Sequence, residues 1–185
     1  MPPDHGLANK QNSRVKGKKL RLMYLLMVNA DSLTKMPPFI IQKAHKPWAF
    51  KNKTGVELGF QYWNNTKAWM TASLYQEWLL DWDRKLRSED QKVVLLQDNL
   101  SGHVVPEALT NICVINFEPN LTAHVQPNDQ GIIHCFKVKY HAQFIHHAIH
   151  LYETGVTPSQ IYDIDQLEAM LLAHDAWNEV DTTMI

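Results

Sequence analysis

Two aspartates stand where phosphate chemistry would need them. Asp98 closes the apolar run "VVLLQD", and Asp129 sits in "LTAHVQPNDQGIIHCFKVKY", where a loop turns into a helix. Taken separately, each has a structural explanation. A carboxylate in a first helical turn is favoured by the helix dipole, and Asp98-Asn99 is ordinary turn chemistry. Together at one rim of a sheet they repel each other unless a divalent cation lies between them. Hard oxygen ligands suit Mg2+ or Mn2+, which keep waters and bind phosphate oxygens. Two such ions roughly 4 Å apart clamp the attacking and leaving oxygens of a phosphodiester.

Around this pair are residues able to meet a phosphate backbone. His103 follows Asp98 by five positions and stands either near the metal or phosphate, or as a hydrogen-bonded structural histidine. Lys67, Lys137 and Lys139 are further candidates for backbone contact, with solvated lysines as the plainer alternative. His146 and His150 have the i, i+4 spacing of a zinc pair, but with no Glu between them and no cysteine partner they read as surface histidines. Trp63, Trp69, Trp78 and Trp82 offer stacking surface, with packing against the sheet expected of the last two. Cys113 and Cys135 lack CxxC spacing and are too few for a disulfide framework, so both are expected as reduced core residues.

The elements that must position these groups alternate. "LRLMYLLMV" and "PPFIIQ" read as strands, with a little strand near Gly59 to Trp63 after an irregular connection. "MTASLYQEWLLDWDRKLR" places Leu74, Trp78, Leu79, Trp82 and Leu86 on one stripe, charges largely opposite, with Thr71 or Ser73 as N-cap. "KVVLLQDN" reads as a central strand, "SGHVVPEAL" as a short turn and helix, and "NICVINF" as another buried strand. A long helix is expected from near Pro127 to about Tyr152, with Gly155 as its stop and Ile132, Phe136, Tyr140 and Phe144 as its core stripe. A last helical pair follows, one starting at Thr157-Pro158 and one capped by Asp163 or Asp165. This order implies an α/β fold of mixed sheet and covering helices, whose ligands gather at the carboxyl ends of the strands.

The chain has 185 residues and is 45% hydrophobic, which fits one domain over 1–185 with residues 156–185 as a helical extension. No apolar run is long enough to span a membrane, and the first residues lack the apolar core of a signal peptide. The net charge of -1 conceals a division. Residues 1 to 60 carry 11 Lys and Arg against 3 Asp and Glu, whereas after Leu151 there are seven acids and no Lys or Arg. The basic end suits a polyanion and the acidic end does not.

With these residues in view, a resemblance emerges. "VVLLQDNLSGH", then "INFEPNLTAHVQPNDQGIIHCFKVKY", resemble the DDE superfamily endonuclease domain of pogo and Tigger transposases, to which centromere protein B and the jerky proteins are related. "NADSLTKMPPFIIQKAHKPWAF" and "LGFQYWNNTKAWMTASLYQEWL" extend the resemblance over nearly the whole chain. The resemblance implies an RNase H-like fold, Mg2+ or Mn2+ as cofactor, DNA as partner, and metal-dependent DNA strand cleavage and transfer. It also implies a nuclear location and leaves a homo-oligomer open. Asp98 would be the second metal ligand and Asp129 the third, with thirty residues between them. The family's first aspartate lies on a strand just before the stretch that opens this chain, and neither Asp4 nor Asp31 takes its place. The expectation is therefore a domain truncated at its N-terminus, lacking a central strand and a catalytic acid. As an enzyme it is expected to be inactive or nearly so in isolation, and the alternative is a non-catalytic, domesticated DNA-binding module.

Overall fold

A computed structural model of the chain describes residues 21–30, 35–118 and 126–181, apart from the side chain of residue 130. The first strand, β1 (Met23–Leu25), sets the layering, because alternate side chains leave a strand on opposite faces. Met23, Leu25 and Met27 enter a core shared with the first long helix, while Tyr24, Leu26 and Val28 pack toward the two later helices. β2 (Phe39–Gln42) is buried throughout and lies antiparallel to β1, with Met23 opposite Ile41. β3 (Gln61–Asn64) pairs parallel to β2 on its other side. β4 (Val93–Gln97) and β5 (Ile112–Asn116) form a separate parallel pair, with Val93 opposite Ile112. The α/β class expected of the sequence holds, its strands falling into one three-stranded and one two-stranded sheet among the described residues.

Helix α1 (Ala72–Ser88) starts where the sequence predicts, with the Thr71 side chain accepting from Leu74 N at 3.4 Å. Its buried stripe of Tyr75, Trp78, Leu79 and Leu86 covers Phe39 and Ile41 from one sheet and Ile112 from the other. Trp63 stacks on Phe39 at 4.4 Å and Trp82 on Trp78 at 5.5 Å, so most of the tryptophan set is core, as expected of Trp78 and Trp82. One acid breaks the expected division of faces: Asp83 is fully buried on the apolar side.

The long helix begins with a π-helical turn, Asn128–Ile132, and continues as α2 (Ile133–Glu153). Ile132, Phe136 and Phe144 are buried and Tyr140 partly so, and Gly155 just beyond takes the positive φ of +90° that only a residue without Cβ adopts freely. Helix α3 (Gln166–Asn178) opens on a capping box, in which Glu168 N donates to Asp165 Oδ1 at 2.9 Å and Asp165 N to Glu168 Oε2 at 2.8 Å. Its Ala173, Ala176 and Trp177 are buried against α2, with Trp177 edge-on to Phe136. After α3, Lys35 Nζ donates to the carbonyls of Trp177 (2.6 Å), Asn178 (3.3 Å) and Val180, and Trp177 Nε1 donates to Met36 O at 2.9 Å. Burial pulls the Lys35 ammonium below the ordinary lysine range, against the opposing charge of Asp181.

Four expectations need correction. β4 is not central among the described residues: its one neighbour there is β5, and Val94 and Leu96 on its even face are exposed. "SGHVVPEAL" forms turns and no helix, since the adjacent β-branched Val104 and Val105 run straight into Pro106. Thr157-Pro158 likewise starts only a turn, in which Thr157 O accepts from Gln160 N and Ile161 N, so one helix stands where a pair was expected. Both cysteines are free, but Cys113 is exposed on the uncovered face of β5 rather than packed in the core.

Candidate active site

The rim at the carboxyl end of β4 is built around Gln97 and Asp98. Gln97 is buried, and its amide ties three segments together. Nε2 donates to Asn116 Oδ1 across the strand pair at 2.7 Å and to His103 O at 3.3 Å, while Oε1 accepts from the Tyr75 hydroxyl of α1. The turn after the strand is fixed by His103 N donating to Leu100 O at 2.8 Å and by Asn99 Nδ2 donating to Phe117 O. Asp98 emerges from this frame with its side chain one-third exposed at 33%. Its Oδ1 accepts from Leu100 N at 3.4 Å and lies 2.6 Å from His103 Nδ1. That ring nitrogen is shut off from solvent and is close to Oδ1 without being aligned on it as a hydrogen bond. The His103 ring stacks on Tyr75 at 4.5 Å. Burial raises the Tyr75 hydroxyl well above the ordinary tyrosine value, and the charge of Asp98 adds to the rise.

Asp129 occupies the π-helical turn, exposed, with its N–H donating to Gln126 O at 3.1 Å. Its neighbour Asn128 fastens this turn to the first sheet, with Nδ2 donating to Leu26 O at 3.1 Å. That bond settles which way the Asn128 amide points, and it leaves Oδ1 buried with no hydrogen-bond partner among the described residues. Gln126 Oε1 is a second such oxygen. Buried acceptors without donors are rare and mark a missing partner, and beside a carboxylate they suit a cation.

The remaining sequence candidates are dispersed. Lys67 and Lys137 are exposed, whereas Lys139 is engaged by Glu179 at 3.7 Å. His146 and His150 lie on the exposed side of α2. Among the described residues no three His, Cys, Asp or Glu side chains gather as a metal site. Asp4 and Asp31 lie outside the described residues. The sequence does not mark the supporting groups Tyr75, Gln97, Asn116 and Asn128 as functional. Only Gln97 carried a signal there, as a polar residue at the end of an otherwise apolar strand.

The model of the DDE superfamily endonuclease family matches residues 19–185. The chain belongs to that family. Among curated proteins, this DDE endonuclease chain is 30% identical over 183 residues to Tigger transposable element-derived protein 4 of Mus musculus, covering 97% of the chain and 34% of that protein. It is 26% identical over 169 residues to ARS-binding protein 1 of Schizosaccharomyces pombe, covering 86% of the chain and 32% of that protein. It is 28% identical over 165 residues to major centromere autoantigen B of Homo sapiens, covering 89% of the chain and 26% of that protein. The DDE chain thus spans about a quarter to a third of the length of these relatives. No solved structure matches it.

Proposed function

We propose that this transposase-derived DDE endonuclease domain engages DNA and contributes Asp98 and Asp129 to a divalent-metal site, Mg2+ or Mn2+, on an RNase H-like framework. The family match carries the reading, because it takes in both aspartates and the strand and helix start that hold them. The donor set fits a hard cation. Asp98 presents a part-exposed carboxylate at a strand end, and Asp129 is exposed in a turn whose chain neighbours Gln126 and Asn128 carry orphaned oxygens. A metal bound there would supply charge stabilisation for the phosphate oxygens in strand cleavage. Asp98 and Asp129 would hold it, and the exposed Lys67 and Lys137 and, less freely, Lys139 would meet the phosphate backbone as point charges. DNA as partner and a nuclear location follow from the same reading and are supported by the names of an ARS-binding and a centromere relative.

A non-catalytic DNA-binding role is the second reading. It is favoured by the fact that no three His, Cys, Asp or Glu side chains gather around a metal position among the described residues. Two measurements on the 185-residue chain separate the readings. Mn2+ binding, followed by the electron-spin signal of the free ion, is expected to weaken about tenfold or more in Asp98→Asn and in Asp129→Asn; unchanged binding in both variants would remove the metal site. In a plasmid-nicking assay with Mn2+, wild type is expected to stay near the Asp98→Ala background. Robust nicking that disappears in Asp98→Ala would instead show that these residues already carry a complete catalytic set.

A further inference from the structure

We propose that His103 is a positioning residue for Asp98, acting from behind the carboxylate rather than on the phosphate. This inference rests on the reading of Asp98 as a metal ligand. It gives His103 a different task from the nucleic-acid contact expected of the sequence.

The geometry supports it from three sides. First, Nδ1 lies 2.6 Å from Asp98 Oδ1. Two bare acceptors at that separation would repel, so Nδ1 carries the proton and donates it to the carboxylate once the pair is aligned. The neutral Nδ1–H tautomer is sufficient for this. Second, the ring is held from the opposite face by Tyr75, stacked at 4.5 Å, and its backbone is held by Gln97 Nε2 at 3.3 Å and by Leu100 O at 2.8 Å. Tyr75 itself donates to Gln97, so strand end, turn and helix lock together around one imidazole. Third, the His103 side chain is only 10% exposed against 33% for Asp98. Its Nδ1, the nitrogen that faces Asp98, is sealed from solvent.

The consequence concerns which oxygen of Asp98 faces outward. The contacts from Leu100 N and His103 Nδ1 both fall on Oδ1. A carboxylate held through one oxygen presents the other in a fixed direction, which is how supporting hydrogen bonds sharpen metal affinity.

The test uses the full 185-residue chain with Mn2+ as probe and thermal melts to establish that each variant is folded. His103→Phe keeps a ring against Tyr75 and removes the donor; His103→Asn gives up the ring and returns an N–H near the position of Nδ1. His103→Phe is expected to weaken Mn2+ binding about tenfold or more, and His103→Asn to stay close to wild type. If Asp98→Asn weakens Mn2+ but His103→Phe does not, the positioning role is wrong while the metal reading stands. Loss in both His103 variants would mean that an N–H near the position of Nδ1 does not restore the site, which also overturns it. If Asp98→Asn leaves Mn2+ binding unchanged, the reading of Asp98 as a metal ligand falls, and the His103–Asp98 pairing is then decided by nitrogen-15 spectra of the imidazole in wild type. A protonated Nδ1 whose resonance moves in Asp98→Asn is expected; a bare Nδ1 would refute the pairing.

Discussion

Backbone and side-chain donors converge on the buried carboxylate of Asp83. Its Oδ1 accepts from Thr110 N (3.1 Å), Asn111 N (2.7 Å) and Ile112 N (3.2 Å), while Oδ2 meets Thr110 Oγ1 (3.3 Å) and Arg87 Nε (3.1 Å). Burial acts to raise this carboxyl, but the donated hydrogen bonds and the Arg87 charge outweigh it and hold Asp83 below the ordinary aspartate value. Asp83→Asn is expected to lower Tm by roughly 5 °C or more at neutral pH, because an amide cannot accept from so many donors. The sign of the pH dependence follows from the depressed value. The stabilisation is complete above the unfolded aspartate value of about 3.9 and is lost as pH falls through the folded one. The gap between wild-type and variant melts should therefore hold from pH 7 to about 5 and narrow below about 4. Asp83 falls on the apolar stripe, four residues after Leu79 and three before Leu86, but its burial was hidden in the sequence because an acid there ordinarily turns to water and its donors come from Thr110 to Ile112, far along the chain. Asp98 could be named as a site candidate because it ends an apolar strand, although turn chemistry accounts for an acid there as well.

At the level of elements, legibility tracked how complete the local signal was. α1 combines an N-cap, an uninterrupted period and strong helix formers, and it formed as read. The Thr157-Pro158 start carries a cap but no apolar period behind it, and it yields a single turn before Asp165 opens a new helix. β4 shows the limit of composition, since four consecutive apolar residues look the same whether one face is covered or both. The irregular connection before β3 held a constraint that no pattern reveals. A Cβ on Gly55 would lie 2.3 Å from Tyr62 Cβ, and Tyr62 is anchored by its hydroxyl donating to Gln42 Oε1 at 3.0 Å and to Ala44 O. Burial also pushes that hydroxyl up to about 12. Gly55→Ala must displace an anchored aromatic ring, so a loss of about 2 kcal/mol is expected in denaturant unfolding, with the m-value unchanged.

Across the whole molecule, α1 covers one face of both sheets, and the later helices cover the other face of the first sheet. The division of charge lies along the chain, and it predicts how DNA binding should respond to salt. Residues 1–19 hold Lys10, Arg14, Lys16, Lys18 and Lys19 against Asp4 alone. Deleting them is expected to make the slope of log affinity against log salt shallower by roughly 2 or more, as measured by fluorescence titration on a short duplex. An unchanged slope would place the phosphate contacts elsewhere. Asp98 and Asp129 could be named as candidates from the sequence because acids and phosphates obey simple chemistry. Their supports could not, because Asn128 meets Leu26 across 102 positions of chain. The contact between Lys35 and the carbonyls after α3 spans a still longer interval, 142 positions to Trp177. During synthesis the stretch around Lys35 must wait for Trp177 and Val180 before its ammonium has those acceptors. Until then the segment leading into β2 lacks its final seal and is open to chaperones or to wrong pairings.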